Sequence, residues 1–294
     1  MQFVRITYRR YFLKLAILIH GHMRSYQLTH PSFHTALKEL KKEFDLCDIF
    51  IHTWDMQEPE NTTWTYPKSM RAPENFKNQI ITKKDVCDVY NPTKLIIEKQ
   101  DIKLVKTDKK PIKNKIYTWK YIWYSFFKAN ELKKQYETEN NFKYDVVIKI
   151  RPDVQFFSNF FIDELKLNQK IWYCQVFKKR AASDIILFSS SENMDCVSDF
   201  YLFFDDIWSN LHGKKKYRYN RKRECSFNDY LEKLEQPTVI SKFVMPRDWR
   251  LFRSWWQLDQ QIQHEKWDRE LAIKAIAADK TYSYFQGVKN KDVI

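Results

Sequence analysis

Three short segments carry the residues best suited to chemistry. His20-Gly21-His22-Met23-Arg24 follows the apolar run Leu15–Ile19, His52-Thr53-Trp54-Asp55 closes a run that begins at Asp48, and Arg151-Pro152-Asp153 closes Val146–Ile150. Proline cannot donate to a sheet ladder, so the third run stops or reaches an edge at Pro152. An arginine and a carboxylate are then left at the lip of a buried strand. A diphosphate needs cations or backbone amides, and Gly21 with Arg24 would supply both at the first turn. Arg151 would pair with a phosphate or with Asp55. Asp153, a hard oxygen ligand on a rigid strand end, would hold a divalent cation bridging two phosphates. A metal or cation cluster of this kind stabilises a departing diphosphate. The alternative role for Arg151 and Asp153 is a buried salt bridge that closes the sheet.

The same residues admit other chemistries. Pro152-Asp153 with Glu164-Leu165-Lys166 matches the PD…ExK pattern of a nuclease superfamily, in which Asp and Glu hold Mg2+ and Lys steadies the attacking water. Against it, PD here ends its strand, whereas in that superfamily it starts one. His20, His22 and His52 with Asp55 form a possible zinc set, because alternate positions of an extended chain face one side. Histidine at a strand end is more often a hydrogen-bonded lining residue. A non-catalytic basic domain would use Tyr217 and Tyr219, interleaved with cations between Lys214 and Arg223, to bind nucleic acid.

The elements that must position these groups follow from periodicity. Strands are expected at Leu15–His20, Asp48–Thr53, Lys94–Glu98, Tyr144–Ile150, Lys170–Phe177, Ser183–Phe188 and Thr238–Phe243. Helices are expected at Phe33–Phe44, Tyr117–Tyr136, Met194–Trp208 and Phe227–Leu234, and in the C-terminal DRELAIKAIAA segment. Glu58–Pro73 and the lysine-rich stretch 100–115 read as loops. Strands and helices alternate through the first 150 residues, which favours a mostly parallel central sheet with helices on both faces. If the first, second and fourth strands are parallel, their polar ends share one crevice on the carboxyl side.

Bulk composition narrows the classes. Three glycines, far apart, exclude a Walker loop and a GxGxxG fingerprint. A net charge of +14 calls for an anionic partner. Five cysteines without a CxxC pair point to reduced thiols rather than a disulfide framework. With no apolar stretch of membrane-spanning length, the expectation is a soluble, cytoplasmic protein, its basic surface suited to peripheral membrane contact.

The order LAILIHGHMRSY, CDIFIHTWD, YTWKYIWYSFFKANELKKQYE and YDVVIKIRPDV, over residues 15 to about 200, resembles a group of surface-polysaccharide glycosyltransferases of bacteria and large DNA viruses. The resemblance implies a GT-A-like, Rossmann-like α/β fold. In that fold a DxD motif at the end of an apolar strand holds a divalent metal and the donor diphosphate. Here RPD sits where DxD would be: Asp153 matches the last carboxylate, and Arg151 replaces the first. The implied donor is a nucleotide sugar, the acceptor a glycan or lipid-linked molecule, and the cofactor Mn2+ or Mg2+ through Asp153; nucleic acid is not an expected partner. Gly21, His22, Met23, Arg24, Asp55 and Arg151 would then bind the donor. SDIILFSSSENMD, residues 183–195, resembles the acceptor-side strand and helix that follow DxD, and offers Asp184 as the base that deprotonates an acceptor hydroxyl. Glu192 and Glu224 are second choices. Trp249, Trp255 and Trp256 would stack on a sugar ring or serve the core. Residues 1–210 would form the catalytic domain and 211–294 a helical extension shaping the acceptor site.

Overall fold

The computed structural model describes residues 12–57, 79–100, 115–166, 169–176, 185–207, 227, 230, 231, 234, 238–245 and 249–251. In chain order the elements are β1 (Lys14–His20), α1 (Tyr26–Glu43), β2 (Leu46–Trp54), α2 (Lys83–Tyr90), β3 (Lys94–Glu98), α3 (Lys115–Glu139), β4 (Val146–Ile150), β5 (Val154–Phe156) and α4 (Ile162–Lys166). They continue with β6 (Ile171–Val176), β7 (Leu187–Ser189), α5 (Ser191–Ser198), β8 (Thr238–Met245) and β9 (Trp249–Leu251).

Seven strands form one sheet in the order β3-β2-β1-β4-β7-β6-β8, and β5 pairs with β9 in a second, two-stranded sheet. Neighbours in the large sheet run parallel except at β7, which is antiparallel to both β4 and β6. The chain builds outward from β1 to β2 and β3 on one side, then returns to place β4 on the other. The carboxyl ends of β1 and β4 therefore flank a topological switch point, where open α/β sheets bind ligands.

The apolar run of β1 explains its central place. Leu15, Ile17 and Ile19 face a cluster with Phe33, Leu37 and Leu40 of α1, while Ala16 and Leu18 face Trp123 and Phe126 of α3. All five β1 residues are essentially inaccessible, and each large side chain so buried contributes about 1.5–3 kcal/mol. On α3, Trp119, Trp123, Phe126, Ala129 and Leu132 are buried at spacings of three and four, the apolar stripe of one helix face. Helices thus cover both faces, as the alternating pattern predicts.

Several observed elements depart from the expected ones: α5 spans Ser191–Ser198 rather than Met194–Trp208, and β5, α4 and β9 have no expected counterpart. α1 begins at Tyr26 rather than Phe33 and carries Pro31 within it. α2, absent from the sequence reading, opens with a capping box in which Thr82 and Asp85 exchange side-chain and backbone hydrogen bonds. β8 and β9, from beyond residue 210, join the two sheets. The DRELAIKAIAA segment lies outside the described residues.

Candidate functional site

The loops after β1, β2 and β4 meet at the carboxyl edge of the sheet. β1 pairs with β2 in register along its whole length, His20 opposite His52, and Ile19 of β1 is opposite Ile150 of β4. Beyond Ile150 the chain turns at Pro152-Asp153, with the Val154 N–H donating to the Arg151 carbonyl at 3.3 Å, and leaves as β5. Pro152, which lacks an N–H, sits in the turn that ends the ladder, and its carbonyl accepts from the Thr29 hydroxyl of α1.

Asp153 is the hub. Arg151 grips it bidentately, Nε to Oδ1 at 3.0 Å and Nη2 to Oδ2 at 2.8 Å, and Arg24 Nη1 adds a 3.0 Å bond to Oδ2. Asp153 is fully buried, and Arg151 and Arg24 are 6% and 8% exposed. The buried salt bridge considered for Arg151 and Asp153 is therefore present, and Arg24, 129 residues away in sequence, extends it to a triad. Two guanidinium groups against one carboxylate leave the triad cationic. Lys149 of β4 is also fully buried, its ammonium 5.6 Å from the Trp123 ring centre and 5.5 Å from that of Phe126.

Arg24 adopts a left-handed backbone, φ 46°, a conformation that a long side chain adopts at a cost. Its N–H donates to the Gln57 carbonyl at 3.0 Å, and the Gln57 amide donates to the Arg24 carbonyl. The turn after β1 is thereby clamped to the one after β2. Gly21, at φ +100°, occupies a conformation open mainly to glycine, and a Cβ built there meets nothing within 4 Å.

A second cluster lies beside this turn. The Gly21 N–H donates to Ser125 Oγ of α3 at 2.8 Å and lies 3.2 Å from the His52 carbonyl. Ser125 Oγ is also 2.7 Å from His52 Nδ1. His52 Nε2 lies 3.4 Å from Glu98, whose carboxylate accepts from the Tyr124 hydroxyl at 2.7 Å. His52 pulls the Glu98 carboxyl down to about 2, with burial working the other way. Burial pushes the His52 imidazole below its ordinary value, partly offset by Glu98. Burial also brings His22 down to about 3, helped by the Arg24 charge, and His22 Nδ1 sits 3.0 Å from the Met56 carbonyl.

The sequence expectations fare differently here. Arg24, Arg151 and Asp153 converge. The Gly21 amide does not serve as a phosphate donor: Ser125 and His52 already use it. Met23 does not line the crevice either, since its side chain is fully buried in the core cluster with Ile19 and Tyr26. Asp55 is half-buried at the end of β2, with Oδ1 buried and unpartnered. Asp184, Glu224, Trp255 and Trp256 lie outside the described residues. Glu192 belongs to the other end of the sheet: β7 runs from Leu187 beside Lys149 to Ser189 beside Val147, so α5 starts at the amino end of β4. Trp249 is a core residue of β9, fully buried.

The donor set does not fit a divalent cation. Both oxygens of Asp153 are occupied by guanidinium groups, and no group of three His, Cys, Asp or Glu side chains among the described residues could hold a metal. The zinc set fails for the same reason, with His22 and His52 turned to separate partners. The PD…ExK residues are likewise dispersed. Glu164 accepts from the Ser241 hydroxyl and the Lys242 N–H of β8, while Lys166 pairs with Glu43 at the surface. Sequence reading passed over Ser125 and Lys149. Lys149 had a visible signal, a lone cation in an apolar run; Ser125 had none beyond its place in an aromatic helix.

No protein-family model and no curated protein matches the chain. Among solved structures it is similar to the apo form of the glycosyltransferase GlyE from Streptococcus pneumoniae TIGR4, at a TM-score of 0.34 and 10% sequence identity, over 78% of this chain. The chain spans 45% of that structure's length. Among the described residues no helix is long and apolar enough to cross a membrane.

Proposed function

We propose that the chain transfers a sugar from a nucleotide-diphosphate donor to a hydroxyl of a glycan or lipid-linked acceptor. The observation that carries this reading is the cationic triad: Arg24 and Arg151 held by Asp153 at the switch point between β1 and β4. In the transfer, the bond from the anomeric carbon to the diphosphate oxygen breaks and its electrons leave with the diphosphate. The acceptor oxygen forms the new bond as it loses its proton. Charge grows on the leaving diphosphate, so fixed cations at that place lower the barrier. Arg24 and Arg151 supply that charge in this reading, oriented by Asp153 in a setting too buried for water to screen them. Asp184 is the proposed base for the acceptor proton, and the chain's +14 charge suits acceptors carried at an anionic membrane surface.

Release of nucleoside diphosphate from a panel of UDP-, GDP- and dTDP-sugars tests the proposal, with a lipid-linked or oligosaccharide acceptor present. Arg151→Met keeps the stem and removes the charge, and should slow release by about 100- to 1,000-fold, the usual cost of losing one preorganised group at a developing anion. Equal rates for wild type and Arg151→Met would overturn the assignment.

A further inference from the structure

The mechanism proposed above leaves His20 without a task, although it is the last residue of β1 and directly precedes Gly21. Its ring is 1% exposed, and neither Nδ1 nor Nε2 has a hydrogen-bond partner. Side chains alternate along β1, so His20 shares the α3-facing side with Ala16 and Leu18, and its ring lies 5.6 Å from that of Phe126. Gly21, whose α-carbon borders open space, follows directly. Burial first, and then the charges of Lys149, Arg151 and His52 with Asp153 opposing, hold the imidazole well below its ordinary value and so in its neutral form.

A buried imidazole with both nitrogens unsatisfied costs stability, and an apolar side chain of similar size would not incur that cost. A polar group kept in such a position is one of the places where local rules yield to function. A neutral imidazole carries one N–H, the group that an oxyanion accepted by the neighbouring cations would meet. We propose that His20 is a ligand-contacting residue, donating its N–H to a phosphoryl oxygen of the diphosphate bound by Arg24 and Arg151. This inference rests on the diphosphate reading of the crevice.

Two measurements on the full chain test it, with inorganic pyrophosphate as the probe. The first is calorimetric titration of the wild type and of His20→Leu, paired with thermal melts of the free proteins. The expected result is that His20→Leu melts at the wild-type temperature or higher and binds pyrophosphate at least tenfold more weakly. Wild-type affinity in folded His20→Leu would overturn the role of His20 and leave the diphosphate reading standing. No pyrophosphate binding by the wild type would overturn both. Should His20→Leu fail to fold, the wild-type chain still decides by 15N-edited NMR of the histidine rings, with the His20 signals assigned by their loss in His20→Gln. Saturating pyrophosphate should move the His20 nitrogen resonances; resonances that stay in place would overturn the proposal.

Discussion

Asp153→Asn preserves the shape of the triad hub and removes its charge. The wild-type carboxylate receives three bonds of 2.8–3.0 Å from two guanidinium groups and is fully buried. Neutralising it removes the charge of a carboxylate that both Arg24 and Arg151 bond. Breaking a buried ion pair by removing one partner costs about 3–5 kcal/mol. In a chain of this size each kcal/mol moves the melting temperature by about 2–4 °C, so the expected fall is roughly 6–20 °C. Pyrophosphate should restore part of it, because an anion between the arginines replaces the missing charge; at 100 times its Kd a ligand adds about 2.7 kcal/mol. Thermal melts with and without pyrophosphate, repeated by urea titration, measure both effects. An Asp153→Asn protein that melts within 2 °C of the wild type would refute the triad as the buried ionic hub. A wild-type melting temperature raised by Mn2+ alone, with no such rise in Asp153→Asn, would return Asp153 to the role of metal ligand.

Three further outcomes follow from the same geometry. His20 and His52 are buried and neutral in the fold but bind protons in the unfolded chain below its ordinary value of about 6.5. Stability is therefore intact above that pH and lost as the pH falls below it; His22, held down to about 3, adds a loss of about 1.4 kcal/mol for each pH unit between about 6.5 and 3, and Glu98 its own only between about 4.5 and 2. Urea midpoints that stay flat from pH 7 to 5 would contradict this. Lys133, fully buried against Ser191, Asp195 and Glu137, ties α3 to α5 at the amino end of β4, so Lys133→Ala should cost about 3–5 kcal/mol in urea unfolding. Being far from the crevice, it should leave pyrophosphate affinity unchanged. Gly21→Ala meets no clash, so its cost should be the conformational one alone, about 1–3 kcal/mol by urea titration.

Much of this architecture is legible in the chain because burial on both sheet faces leaves a plain mark. The apolar runs of β1 and β4 and the halt at Pro152 announce the strands, the switch between them and the lip where Arg151 and Asp153 sit. Arg151 is legible as a salt-bridge partner of Asp153, but the second partner is not. Arg24 reaches it across 129 residues, and no local period encodes that pairing, so a carboxylate that reads as a metal ligand proves to be an arginine anchor. Met23 misleads in the opposite sense: adjacent to Arg24 in sequence, it is fully buried in the core with Ile19 and Tyr26. Ser125 looks like one small residue in an aromatic helix, and its bond to the Gly21 amide exists only through the packing of α3 on β1 and β2. α2 could have been found from Thr82 and Asp85 at capping-box spacing. The early start of α1 is hidden by Pro31, a residue that usually breaks helices.

In the proposed reaction Arg24 and Arg151 receive a nucleoside diphosphate at the switch point between β1 and β4. Calorimetric titration of the wild type with UDP-, GDP- and dTDP-sugars in the presence of EDTA tests it most directly, each repeated with Arg24→Met and Arg151→Met. One nucleotide class should bind without added metal, and each arginine variant should weaken that binding by at least tenfold. Binding that is unchanged in both variants would contradict it, as would no binding by the wild type to any donor with or without Mn2+.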